Sequence, residues 1–239
     1  MKFQTLLFDY GGTLDTCGMH WAKVLYQAWL TVVPTLAHAD FYEAYVYAER
    51  QLSKEHAVDE RATFLQVLHQ KLNLQSTYLR ERQSMSFNHA LSSELIDTLA
   101  HSLDRQVRAT MTQAQTLLRD LQPRYQLGLV SNFYGNLSAV LQTYAVQDFF
   151  DVVIESAKVG VRKPDARLWQ IALEHFHAQP DTTLVIGDSL KNDILPAHSL
   201  GCATLWLTQP DSLNTPPVEA DKADYIAHTF EDVRQLLLR

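Results

Sequence analysis

Helix-breaking residues are spread very unevenly along this chain. No glycine occurs between Gly18 and Gly128, and Pro34 is the sole proline before Pro123. An interval so poor in breakers, and rich in Ala, Leu, Gln and Glu, spells a block of helices. Phe64, Leu65, Leu68 and Leu72 recur at helical spacing, as do Leu91, Leu95, Leu99 and Leu103, so each set is expected to form a buried helix face. Outside the block the texture changes. Residues 3–8 read as a short buried strand closed by glycines, and residues 127–130, 152–154, 184–186 and 203–207 as further strands. Helix signals at 136–144, 165–175 and about 192–200 fall between them, and 229–238 reads as a closing helix. This alternation implies βαβ units, a mainly parallel sheet and an α/β fold. The first strand joins the sheet across the helical block. The expected organisation is therefore an α/β core from residues 1–16 and 108–239, with a helical cap from 17–107.

At 239 residues the chain can bury a substantial core. A net charge of −7 argues against nucleic acid as a partner, while a few local cations still suffice for a small anionic metabolite. Cys17 and Cys202 cannot build a disulfide framework and read as two unpaired thiols in a reducing compartment. No apolar stretch approaches a membrane span, and Met1-Lys2-Phe3 leads directly into the strand without a cleavable signal. A cytoplasmic location without membrane association is expected; the sequence names no protein partner.

Four loops follow predicted strands, where an open parallel sheet gathers its ligands along one edge. The first is Asp9-Tyr10-Gly11-Gly12-Thr13, an aspartate delivered into a glycine turn beside a hydroxyl. The second is Ser131-Asn132, and the third holds Lys163 just ahead of Pro164. The fourth, Gly187-Asp188-Ser189-Leu190-Lys191-Asn192-Asp193, offers two carboxylates suited to a hard divalent cation. Turns and helix caps account for any one of these taken alone. Helix capping explains the full fourth run less well.

The order of the four loops resembles the haloacid dehalogenase-like hydrolase superfamily over nearly the whole chain. The resemblance implies a Rossmann-like parallel core with an inserted all-α cap of the helical class. It implies Asp9 as nucleophile, Ser131 as phosphate donor and Lys163 as the stabilising cation, with Gly12, Thr13 and Asn132 also at the phosphate. It further implies Mg²⁺ held by Asp9, the Gly11 carbonyl and Asp188, with Asp193 as ligand or supporting carboxylate.

One departure bears on the reaction. Most phosphatases of the superfamily carry a second aspartate two residues after the nucleophile, as general acid and base, and here that position is Gly11. Such help is worth roughly 10²–10⁴-fold, so substrates with poor leaving groups should suffer most. The expected activity is hydrolysis of a small phosphorylated metabolite, with the proton handled by Asp15, His20, a cap residue or not at all. Two other readings stand beside it. One is hydrolysis of a carbon–halogen or carbon–phosphorus bond, the latter needing a cap lysine such as Lys23, Lys54 or Lys71. The other is a non-catalytic phosphate-binding or regulatory protein.

The remaining features carry less. Arg50, Lys54, Arg61, Arg80 and Arg82 read as a solvated face, and Tyr42, Tyr45 and Tyr47 as packing. The ten histidines show no metal-ligand spacing. Hinges for cap closure are expected near Thr16 and within 105–111.

Overall fold

A computed structural model describes residues 2–82, 92–209 and 222–238. The described chain runs β1 (Thr5–Phe8), α1 (Trp21–Leu30), α2 (His38–Leu52), α3 (Phe64–Glu81), α4 (Ser93–Leu121) and β2 (Gln126–Ser131). It continues through α5 (Leu137–Thr143), β3 (Val152–Glu155), α6 (Ser156–Val159), α7 (Arg167–Phe176) and β4 (Thr183–Gly187). A wide turn at Leu190–Ile194 leads into α8 (Leu195–Ser199), β5 (Ala203–Leu207), β6 (Tyr225–Ala227) and α9 (Phe230–Leu238).

The strands form one parallel sheet in the order β3-β2-β1-β4-β5-β6. β1 and β4 are wholly buried and occupy the centre, which is why both read as unbroken apolar runs. The two faces divide by strand alternation. Leu6 and Phe8 join one apolar cluster with α4, α5 and α9, while Leu7 and Val185 join a second with Leu168, Trp169 and Ala172 of α7. The chain runs outward from β1 to β2 and β3 and then returns to β4, so the direction of strand order reverses beside β1. That reversal opens a crevice between the carboxyl ends of β1 and β4.

The helical block holds α1 to α4. Thr63 caps α3 reciprocally with Gln66, and the Ser92 side chain accepts from Leu95 N at the start of α4. α4 runs unbroken from Ser93 to Leu121, so both the division expected near residue 108 and the hinge expected at 105–111 fall inside one helix. Its early turns pack against α3, and Asp120 near its end accepts from Arg234 Nε of α9 at 2.8 Å. The apolar cluster is continuous from Phe8 and Tyr10 through Trp29, Phe41 and Leu68.

Three details differ from the sequence expectation. Leu95 is 41% exposed; the buried face of α4 is set by Ile96, Leu99, Ala100, Leu103, Val107 and Met111, a better helical phase than a strict four-residue step. Leu91 lies outside the described residues. The helix expected over 192–200 is a wide turn followed by α8, with Pro196, which lacks an N–H, in its opening turn. β6 and α6 went unread because three- and four-residue elements carry no period.

Candidate active site

The register aligns Phe8 of β1 with Ile186 of β4 and Leu129 of β2, so the loops that follow all open into the same crevice. Asp9 N donates to Ile186 O at 2.9 Å, continuing the β1–β4 pairing into the loop. Asp9 is 6% exposed and Lys163 5%. Lys163 Nζ lies 2.7 Å from Asp9 Oδ1 and 2.7 Å from Asp193 Oδ1. Its ammonium also sits 4.3 Å from the centroid of the Trp169 ring. Burial opposes the charge on Lys163, but the carboxylates of Asp193 and Asp9 outweigh burial and raise its pKa.

Asn132 explains how a loop lysine is aimed so tightly. Its amide donates to Lys163 O at 3.1 Å and its carbonyl accepts from Lys163 N at 2.9 Å. The Asn132 side chain is thus committed to the lysine backbone. Asp193 is equally fixed: one oxygen meets Lys163, and the other accepts from Ser189 N at 3.0 Å. The wide turn at Leu190–Ile194 brings that carboxylate back beneath its own loop, and a Cβ on Gly187 would fall 2.4 Å from Asp193 Cβ. Trp206 Nε1 donates to Asp188 O at 2.7 Å and pins the same loop from β5.

A cavity of about 80 Å³ is lined by Asp9, Gly11, His20, Ser131, Asn132, Lys163, Asp188, Ser189, Asn192 and Asp193. Gly12 and Thr13, also expected at the phosphate, lie against carboxylates. Gly12 N donates to Asp15 Oδ1 at 2.7 Å, and the Thr13 hydroxyl lies 3.3 Å from both Asp9 Oδ2 and Asp188 Oδ1. Ser189 and Asn192 belong to a loop already conspicuous in sequence; nothing local marks them as lining.

The two expected proton carriers are separated by geometry. Asp15 is 1% exposed, and both its oxygens accept N–H groups, Gly12 N and Trp21 Nε1, the latter at 2.8 Å. Burial nonetheless pushes its carboxyl up to about 7. His20 lies at the mouth of the cavity. Its Nδ1 accepts from Ala22 N at 3.1 Å as the N-cap of α1, which assigns the ring proton to Nε2. Although solvent reaches its edge, surrounding protein lowers the His20 pKa through burial, against the raising pull of Glu49 and Asp9.

The carboxylate oxygens of Asp9, Asp188 and Asp193 can be chosen so that all lie within 4.8 Å of one another. Three carboxylates facing one ammonium leave a deficit of two positive charges. Asp188 Oδ2 is buried and has no hydrogen-bond partner among the described residues. Burial first, and then the charges of Asp193 and Asp9, raise the Asp188 pKa. A small divalent cation with a preference for oxygen satisfies both the charge and the orphaned oxygen.

The sequence profile described as haloacid dehalogenase-like hydrolase matches residues 38–207, beginning after the Asp9 loop. The chain is 34% identical over 97 residues to the pyrimidine 5'-nucleotidase YjjG of Escherichia coli, covering 39% of this chain and 43% of that protein. It is 29% identical over 165 residues to a phosphoglycolate phosphatase of Vibrio vulnificus, covering 65% and 72%. Among solved structures, the HAD-hydrolase YfnB from Bacillus subtilis, bound to magnesium, superposes over 100% of both chains with a TM-score of 0.59 at 20% identity. A dehalogenase with an intermediate complex superposes with a TM-score of 0.64 at 16% identity, over 100% of this chain and 98% of that one. With the profile spanning well over half the sequence, and with this fold, the chain belongs to the haloacid dehalogenase-like hydrolases and is a hydrolase.

Proposed function

We propose that this protein is a Mg²⁺-dependent phosphatase for a small phosphorylated metabolite, working through an aspartyl-phosphate on Asp9. The observation that carries the reading is the charge arrangement: one ammonium bridging Asp9 and Asp193, beside an Asp188 oxygen with no partner among the described residues. That arrangement is two positive charges short and suits a divalent cation, whereas dehalogenation in this superfamily proceeds without the metal. Asp9, Asp188 and the Gly11 carbonyl would hold Mg²⁺, which neutralises phosphoryl charge when bound. Asp193, with both oxygens engaged, acts as a supporting carboxylate that aims Lys163.

Asp9 attacks phosphorus, forms the acyl phosphate and expels the leaving oxygen; water then cleaves the acyl phosphate and regenerates Asp9. Lys163 and Ser131 stabilise charge on the phosphoryl oxygens. His20, with Nδ1 occupied by Ala22 N–H, offers an Nε2–H as a hydrogen-bond donor to the leaving oxygen and has no free lone pair to act as a base. Asp15 is held behind the loop by its two N–H partners. With no strong acid in place among the described residues, the site favours leaving groups that depart without protonation, such as those of acyl and aryl phosphates. The small cavity admits a phosphoryl group and metal more readily than a bulky substrate.

The alternative readings find less support. Lys23, Lys54 and Lys71 are not among the residues lining the cavity, and Lys71 is tied to Glu49 and Tyr134, which disfavours carbon–phosphorus cleavage through a cap lysine. We further propose that α1 to α3 and the early part of α4 act as a cap over the α/β core. Two free thiols suit the cytoplasm, and no described helix is long and apolar enough to cross a membrane.

A panel of acyl, aryl and alkyl phosphates and 2-haloacids, assayed with Mg²⁺ or chelator, tests the proposal. Expected is Mg²⁺-dependent release of phosphate that Asp9→Asn abolishes. Haloacid turnover in chelator would overturn it in favour of dehalogenation; phosphate binding without turnover would favour a non-catalytic role.

A further inference from the structure

A second group of metal-ligating side chains stands apart from the carboxylate cavity. His69 projects from α3, and Asp97 and His101 lie one turn apart on the same face of α4. His69 Nε2 is 3.2 Å from Asp97 Oδ1, and His101 Nδ1 is 3.4 Å from the same oxygen. One donor atom from each residue lies within 4.8 Å of the other two. The imidazoles meet edge to face, with centroids 5.9 Å apart. None of the three lines the carboxylate cavity.

We propose that His69, Asp97 and His101 form a transition-metal site, for Zn²⁺ or a cation of similar preference, that clamps α3 to α4. Tetrahedral Zn²⁺ with ligand bonds of about 2.0–2.2 Å sets its donor atoms about 3.3–3.6 Å apart, close to the two separations around Asp97 Oδ1. Two imidazoles and one carboxylate select such a cation over Mg²⁺, which prefers oxygen alone. All three side chains are at least partly open to solvent, which leaves the fourth position to water. His101 Nδ1 also lies 2.9 Å from Asp97 O, so the metal is reached in the Nε2–H tautomer or by a half-turn of the ring that presents Nε2. The contact given up costs little, because that carbonyl lies within α4, where helical pairing serves it.

Titration calorimetry of the full chain, tag removed and with Mg²⁺ in large excess, should show one Zn²⁺ site per chain. Co²⁺ used as a probe should develop visible absorption of a nitrogen- and oxygen-coordinated ion. His69→Gln, Asp97→Asn and His101→Gln should each weaken Zn²⁺ binding by roughly tenfold or more while leaving the circular dichroism unchanged. Asp188→Asn should retain the site, which separates it from the carboxylate cavity. Zn²⁺ should raise the thermal midpoint of the native chain and not that of His69→Gln. Absence of binding in excess Mg²⁺ would mean a plain hydrogen-bonded cluster and overturn the proposal. So would full affinity in His69→Gln, since that residue alone brings in the second helix.

Discussion

A Cβ added to Gly12 would sit 2.4 Å from an Asp188 carboxylate oxygen, whereas one added to Gly11 meets nothing nearer than Trp21 Cδ1 at 3.9 Å. Gly12 also holds a φ of +95°, so it is a glycine by necessity. Gly12→Ala should cost on the order of 1–3 kcal/mol in stability and remove Mg²⁺-dependent turnover, as read by denaturation and assay. Gly11 has no such requirement. Gly11→Asp should fold normally and raise kcat/KM for alkyl phosphates, by up to roughly 10²-fold, more than for aryl phosphates. Equal or lower rates on both would show that proton transfer is not what position 11 limits. Asp15 makes a different prediction. Its folded pKa of about 7 lies above the usual carboxylate value, so its contribution to stability is complete below about pH 4 and lost as pH rises through 7. Asp15→Asn should remove that slope between pH 4 and 7. The same change turns an amide N–H toward one of two donors, so urea denaturation should show a loss of about 1–3 kcal/mol at pH 5.

At the scale of elements, the helical block meets the second loop through a three-residue contact. Tyr134 OH donates to Glu49 Oε2 of α2 at 2.7 Å and accepts from Lys71 Nζ of α3 at 2.9 Å, while Lys71 pairs with Glu49 Oε1 at 2.6 Å. Tyr134 is three residues from Ser131, so the contact ties the position of the helices to that of the second loop. Tyr134→Phe leaves the charged pair in place but removes its bridge. A double-mutant cycle with Glu49→Gln should give a coupling of about 0.5–3 kcal/mol, and a value near zero would show that the bridge is not formed in solution. This contact was not legible in the sequence. Lys71 read as one of three cap lysines without distinguishing surroundings, because its partners lie 22 residues before it and 63 after it. All strands but β6, and most helices, were legible, because period and breakers act locally. Leu95 misled, since a four-residue step drifts off the true helical face within a few turns.

At the scale of the whole molecule, the proposed metal site makes a prediction about stability. Mg²⁺ binding to the native carboxylate cluster should raise stability by about 2.7 kcal/mol at a hundredfold excess over its dissociation constant. Asp188→Asn should abolish that rise in thermal midpoint, and its persistence would place the cation elsewhere. The sequence by itself determined the α/β class, the helical insert and the four strand-end loops, because hydrophobic period, glycine turns and strand–loop order are properties of neighbouring residues. It also marked Asp9, Lys163 and Asp188, each by the loop that holds it. Only the tertiary structure decided what each side chain does with its hydrogen-bonding groups. It turned Asn132 toward the Lys163 backbone, Gly12 N–H toward Asp15 and both Asp193 oxygens inward, and among the described residues it left one Asp188 oxygen unmatched. It likewise brought His69 to Asp97 and His101 across two helices. Such pairings depend on distance between atoms contributed by remote segments, and that distance is set only when the sheet and its helices have packed.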